Sequence, residues 1–173
     1  MRFKYKVIIV RARGTIILLS LLLTCFGLAS PVIFRGWLPP NKVNLPLWIL
    51  FLSATVGFLL GKYAHETYRY LISRMLGVRA YFIFFPFPRT YFLDSLSKWQ
   101  AISITLAPFA DLTLLGLIGL AFGTWLFIPS VVTFITVNFI LSARDLIESY
   151  YLFRMVGAEE IVHKRPDGFE IWG

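Results

Sequence analysis

Residues 47–76 read LWILFLSATVGFLLGKYAHETYRYLISRML. Up to Leu60 the run is apolar apart from Ser53 and Thr55, and no proline interrupts it. Beyond Leu60 it brings in Lys62, His65, Glu66 and Arg69. A membrane-crossing helix needs about 20 mostly apolar residues, and this stretch exceeds that length. Ionisable side chains inside such a segment are expensive, and they persist where they are paired or functional. The stretch therefore predicts a membrane helix whose second half carries a polar site.

Three more stretches have the same character: 15–34, 99–128 (with Pro108 inside it) and 130–156. The last two are longer than a bilayer needs, so they tilt, kink or project into the cytosol. Composition agrees. Of 173 residues, 58% are hydrophobic and 15% charged, against roughly 45–50% and 25% in ordinary soluble domains. With a mean hydropathy of +0.73, disordered, collagen-like and disulfide-stapled classes are excluded. The lone cysteine, Cys25, permits no intrachain disulfide. The first stretch has the outline of a secretory signal. However, Pro31 follows its Leu28-Ala29-Ser30 step and disfavours cleavage, so it reads as a retained helix.

Lysine and arginine positions set the orientation. Thirteen of the 17 fall in the N-terminal tail, after the second span, or at the end of the fourth and in the C-terminal tail. Two, Arg35 and Lys42, fall in the loop between spans one and two; Lys62 and Arg69 lie within the second span. Four spans with both termini cytosolic account for this bias. The net charge of +8 then reads as topology and attraction to anionic lipids. Nucleic-acid binding, which wants a clustered basic face with interleaved aromatics, is not expected. All five tryptophans, Trp37, Trp48, Trp99, Trp125 and Trp172, lie near predicted helix ends or in the tail, as interfacial tryptophans do. The loop GWLPPNKVNLP (36–46) is too proline-rich to be helical. YFIFFPF (81–87) is strand-like. Pro166-Asp167-Gly168, between apolar runs, predicts a turn and hence a C-terminal hairpin. The expected fold is an all-α integral membrane protein of about four transmembrane helices with a small cytosolic β-hairpin. Its units are 1–44 (basic tail, first helix, outer loop), 45–156 (a three-helix membrane core) and 157–173 (the hairpin).

Depth sharpens the site. His65 and Asp145 each lie 11 residues before the cytosolic end of their spans, at Leu76 and Val156. At 1.5 Å per residue both are roughly 16 Å from those ends, so the two polar clusters can meet at one level. Asn138 is one heptad before Asp145 and shares its face. Glu148 and Arg154 are expected near the headgroups. Asp111, just after Pro108, is expected to line the site or form an ion pair there, or to cap amides freed by the proline. His65-Glu66-Thr67-Tyr68-Arg69 follows the form HExxH, in which two histidines at i and i+4 hold zinc and the glutamate activates its water, except that Arg69 stands in the second histidine position.

Four stretches resemble a known family: GKYAHETYRYLISRMLGV (61–78), LSKWQAISITLAPFADL (96–112), VNFILSARDL (137–146) and RPDGFEIW (165–172). In order and spacing they are similar to the zincin peptidase family known as domain of unknown function 3267, related to site-2-protease-type intramembrane metalloproteases. The likeness covers about residues 45–173. It implies His65 and Asp145 as zinc ligands, Glu66 as general base and Asn138 on the active-site face. The second histidine ligand has no counterpart. Arginine has no acceptor and cannot ligate a metal, but it can bind carboxylates through two parallel hydrogen bonds. Arg69 is therefore expected to take the metal's place, pairing with Asp145 or Glu66, with Arg144 as a competing partner for Asp145.

Three functions compete. The first is a zincin-like protein with a degenerate metal site, holding no cofactor, not hydrolysing peptides and binding a membrane protein or peptide. The second is an active zinc protease with a substitute third ligand such as His163. The third is a structural or assembly subunit of a membrane complex. The expectation leans to the first, and so to a protein that is not an enzyme.

Overall fold

A computed structural model of the chain describes residues 3–8, 13–35, 46–122, 128–165 and 168–173. Among them are four helices, α1 (Arg13–Arg35), α2 (Leu47–Met75), α3 (Lys98–Phe122) and α4 (Ile128–Met155). Six short strands accompany them: β1 (Phe3–Ile8), β2 (Ala80–Ile83), β3 (Arg89–Phe92), β4 (Leu96–Ser97), β5 (Ile161–Arg165) and β6 (Gly168–Trp172). The loop 36–45 with Trp37 and Lys42, the turn 123–127 with Trp125, the 166–167 turn residues, and Arg2 and Arg11 lie outside the described residues.

α4 is the central helix and packs against α1, α2 and α3. α3 and α4 have mean hydropathies of 1.8 and 1.5 and are long and apolar enough to cross a membrane. α2 has the length, at 29 residues, but its second half carries the ionisable groups quoted above. It comes close to α4 at Gly57, where a Cβ would stand 2.3 Å from the Ser130 carbonyl oxygen. Only glycine lets the two backbones approach so far. Pro129 sits one residue into α4, where its missing N–H costs nothing; Ile128, read from sequence as the end of the third span, is thus the start of α4.

The C-terminus of α2 shows why the chain reverses there. Gly77 has φ +75°, its N–H donates to Arg74 O at 3.1 Å, and Val78 N–H donates to Ser73 O at 2.9 Å. This pair of bonds satisfies carbonyls that the helix end leaves open, and it needs a left-handed residue at that point. The chain then climbs back along α2 as the antiparallel hairpin β2–β3, with Tyr81 opposite Tyr91 and Ile83 opposite Arg89. At its base Asp94 accepts from the Arg79 side chain and backbone N–H, at 2.9 and 2.8 Å, and these bonds hold its carboxyl below the usual carboxylate range.

The remaining strands form one antiparallel sheet in the order β1-β6-β5-β4. β5 and β6 are the hairpin expected from the tail, with Val162 opposite Ile171. β1, read from sequence as part of a basic tail, pairs with β6, so both ends of the chain meet in one sheet. Leu96, Ile104, Leu152, Val162, Phe169 and Ile171 are buried together and join the sheet to the ends of α3 and α4. A second buried cluster, Leu120, Ile128, Ile135 and Phe139, lies between α3 and α4 toward the other end.

Two glycine substitutions test this packing by unfolding in detergent micelles. Gly77→Ala is expected to cost about 1–2 kcal/mol, the penalty of a left-handed conformation for an L-residue. Gly57→Leu is expected to prevent α2 from seating on α4 and to lower the folded yield; unchanged stability in either variant would contradict the corresponding contact.

Candidate functional site

On α2, His65, Glu66 and Arg69 fall within one turn, and residues three and four apart on a helix are neighbours. On α4, Asn138 and Asp145 share a face. Where the two faces meet, His65 is fully buried, at 0% exposure. Its Nδ1 lies 2.9 Å from Asn138 Oδ1 and its Nε2 lies 2.9 Å from Asp145 Oδ2. Asn138 Nδ2 donates to Thr113 Oγ1 on α3 at 3.1 Å, which turns the amide oxygen toward His65. The proton on that side therefore sits on Nδ1, and Nε2 is left to accept.

Arg69 supplies what Nε2 and Asp145 lack. Its Nη2 donates to both His65 Nε2, at 3.1 Å, and Asp145 Oδ2. Two hydrogens on one nitrogen thus serve two acceptors that would repel if left alone. Nη1 donates to Glu66 Oε1 at 2.8 Å. The other carboxylate oxygen of Glu66 accepts the Thr90 backbone N–H at 3.1 Å, and Thr90 Oγ1 donates to the Glu66 carbonyl at 2.9 Å. β3 is thereby stitched to α2 at the site.

One turn farther along α4, Glu148 is buried at 2% exposure. Its Oε1 lies 3.3 Å from Lys164 Nζ of β5, which also donates to Thr105 Oγ1 on α3 at 3.1 Å. The expected headgroup position for Glu148 is therefore corrected: the C-terminal hairpin brings a lysine to it, and a paired acid can be buried. Arg154 does lie exposed and donates to Tyr150 Oη at 2.7 Å.

The other sequence candidates fall outside the cluster. Asp111 accepts the Tyr68 hydroxyl at 2.8 Å, a tie between α2 and α3 in place of the expected cap at Pro108. Arg144 is half-buried on α4, while Asp145 draws its ion pair from Arg69. Lys62 Nζ stands 4.2 Å over the Phe87 ring. His163 precedes Lys164 on β5 and so points to the opposite face of the strand; its ring packs 5.7 Å from that of Trp172, away from the site. Sequence reasoning missed Thr90, Thr113 and Thr105, single hydroxyls with no periodic signal. It also missed Lys164 as a site residue, having counted it as a topology charge.

His65 Nε2 and Asp145 Oδ2 converge on one point as two metal ligands do. Asn138 fixes the imidazole from behind, as outer-shell partners of metal-bound histidines do. A catalytic zinc takes three protein ligands and a water. Here the point of convergence is spanned by Arg69. No group of three or more His, Cys, Asp or Glu is gathered for a metal among the described residues. Two donors hydrogen-bonded to one guanidinium do not fit a catalytic zinc.

His65 and Glu66 on α2 are thus met by Asp145 of α4. Among family models, the one described as "Putative zincin peptidase" (domain of unknown function 3267) matches residues 58–157, over half of the chain. The chain belongs to that family. The matched region includes every member of the cluster except Lys164. No curated protein and no solved structure matches the chain.

The cluster predicts a large stability effect. Arg69→Ala leaves the buried Asp145 without its cation and is expected to destabilise the protein by roughly 3–5 kcal/mol. The double variant Arg69→Met with Asp145→Leu should recover most of that loss. Equal losses in both variants, read by unfolding in detergent, would show that packing and not charge pairing dominates.

Proposed function

We propose that the chain is a membrane-embedded, non-hydrolytic member of the zincin peptidase family that binds a membrane protein or peptide. The observation that carries this reading is the position of Arg69. Its guanidinium touches both would-be ligands and the would-be base. It is a fixed single charge with no open coordination site, so it cannot polarise a carbonyl or lower the pKa of a bound water as zinc does. Glu66, the base of an active zincin, has one carboxylate oxygen bonded to Arg69 and the other to Thr90.

Membrane insertion with four spans and cytosolic termini is supported by the apolar lengths of α3 and α4, by the cation bias, and by the pairing of β1 with β6. The binding role is supported by the edge of β2. Leu93 N–H donates to Arg79 O and Thr90 N–H turns outward to Glu66. The hydrogen-bonded pairs of the hairpin are therefore 79·93, 81·91 and 83·89. The backbone groups of Ala80 and Phe82 then point away from β3, and among the described residues nothing pairs with them. An extended peptide can add to such an edge.

Metal analysis tests the reading. Protein purified from membranes without chelator is expected to hold far less than one zinc per chain. Arg69→His, which restores the i,i+4 histidine pair, is expected to gain zinc that a chelator removes. Stoichiometric, chelatable zinc in the unaltered protein would overturn the proposal, and no gain in the variant would mean that the frame is not zincin-like.

A further inference from the structure

The tip of the β2–β3 hairpin is apolar, exposed and poor in backbone donors. Phe84, Phe85 and Phe87 are 64%, 78% and 61% exposed. Two of the five residues from 84 to 88 are prolines, which carry no N–H to satisfy. An aromatic turn with few open donors is suited to a medium that offers no hydrogen bonds.

The hairpin's position along α2 says where that medium lies. Phe82 packs on Tyr70 with ring centroids 5.9 Å apart, Phe84 on Tyr63 at 5.0 Å, and Phe87 beneath Lys62 at 4.2 Å. The hairpin therefore rises beside α2 from its C-terminal end toward its middle. Counting about 20 residues, roughly 30 Å, from Trp48 brings the hydrocarbon boundary to about Thr67. The tip, level with Lys62 and Tyr63, then lies about one turn inside that boundary. The strands, with the open β2 edge, lie in the headgroup layer, where water can serve their backbone groups. The charges match this placement. Arg89, next to the tip, and Arg74, on the last turn of α2, are both exposed, and both fall at or just beyond the boundary.

We infer that the β2–β3 hairpin is a membrane wedge: Phe84, Phe85 and Phe87 insert among the acyl chains of the leaflet on the β-sheet side, and Arg74 and Arg89 engage the phosphates of anionic lipids there. This rests on the membrane-embedded part of the proposed function and is independent of whether the site holds zinc.

The test uses the full chain with Cys25→Ser, carrying one environment-sensitive fluorophore at Phe85→Cys, Leu114→Cys or Ala158→Cys. Each is reconstituted in phosphatidylcholine vesicles with or without about 30% phosphatidylglycerol, the anionic lipid that attracts juxtamembrane arginines. Nitroxide lipids report contact with acyl chains. The label at 85 is expected to be blue-shifted and quenched, more so with phosphatidylglycerol. The label at 114, exposed on α3, should be quenched in both compositions, and that at 158 in neither. Arg74→Gln and Arg89→Gln should each lower the inserted-to-withdrawn ratio at 85 roughly fivefold, and only in the anionic vesicles. Quenching at 114 without quenching at 85 overturns the wedge and leaves the membrane reading standing. A label at 85 that is blue-shifted yet unquenched means that protein covers the tip, which also overturns it. Absence of quenching at 114 overturns the membrane reading itself.

Discussion

The structure depends on one guanidinium. Asp145 is buried on the central helix, and a carboxylate in that setting must have a counter-charge or hydrogen-bond donors. Arg69 provides both, and through Asp145 it ties α2 to α4, while its bonds to His65 and Glu66 stay within α2. Glu66, held by the same guanidinium, then presents its second oxygen to Thr90 and fixes the β2–β3 hairpin against α2. Glu148, one turn beyond Asp145, is neutralised from the other side by Lys164 of the C-terminal hairpin. Arg69 of α2 and Lys164 of β5 thus bracket the two acids of α4. The helices, the hairpin and the sheet are all positioned by them.

Much of this was legible in the sequence, and the exceptions have physical causes. The helices are long apolar runs, so their existence and approximate limits could be read directly. The C-terminal hairpin announced itself through Pro166-Asp167-Gly168, and part of β2 through YFIFFPF. β1 was harder. Phe3, Tyr5 and Val7 alternate with Lys4 and Lys6, a strand pattern, but the lysines had already been explained as topology charges. Its partner β6 also lies at the far end of the chain, and a strand declares itself only when its partner is known. β4 is two residues long and carries no pattern at all.

The site divides the same way. His65 and Asp145 were placed together by depth alone, and Asn138 by the heptad that separates it from Asp145. Side-chain partners at fixed helical spacing are readable. Those contributed across the fold are not: Thr90 acts partly through its backbone N–H, Thr113 and Thr105 are ordinary helix hydroxyls, and Lys164 arrives on a strand. Glu148 was misplaced for this reason. Near a helix end and without a visible partner it should seek water; with Lys164 beside it, it is buried.

An arginine in a metal's place also does something a metal or an apolar residue would not. The close approach of Gly57 to Ser130 is one constraint on how α2 seats on α4. The fork of Arg69 adds a second, made of directional contacts. Only one register puts Nη2 between His65 Nε2 and Asp145 Oδ2 while Nη1 meets Glu66 and His65 Nδ1 meets Asn138. A shift of one turn, about 5.4 Å, would break the contacts that cross between the helices, Arg69 to Asp145 and His65 to Asn138, and leave Asp145 buried without its cation, at several kcal/mol. The same cluster therefore fixes how the helices meet, and with them the height at which the hairpin stands beside α2.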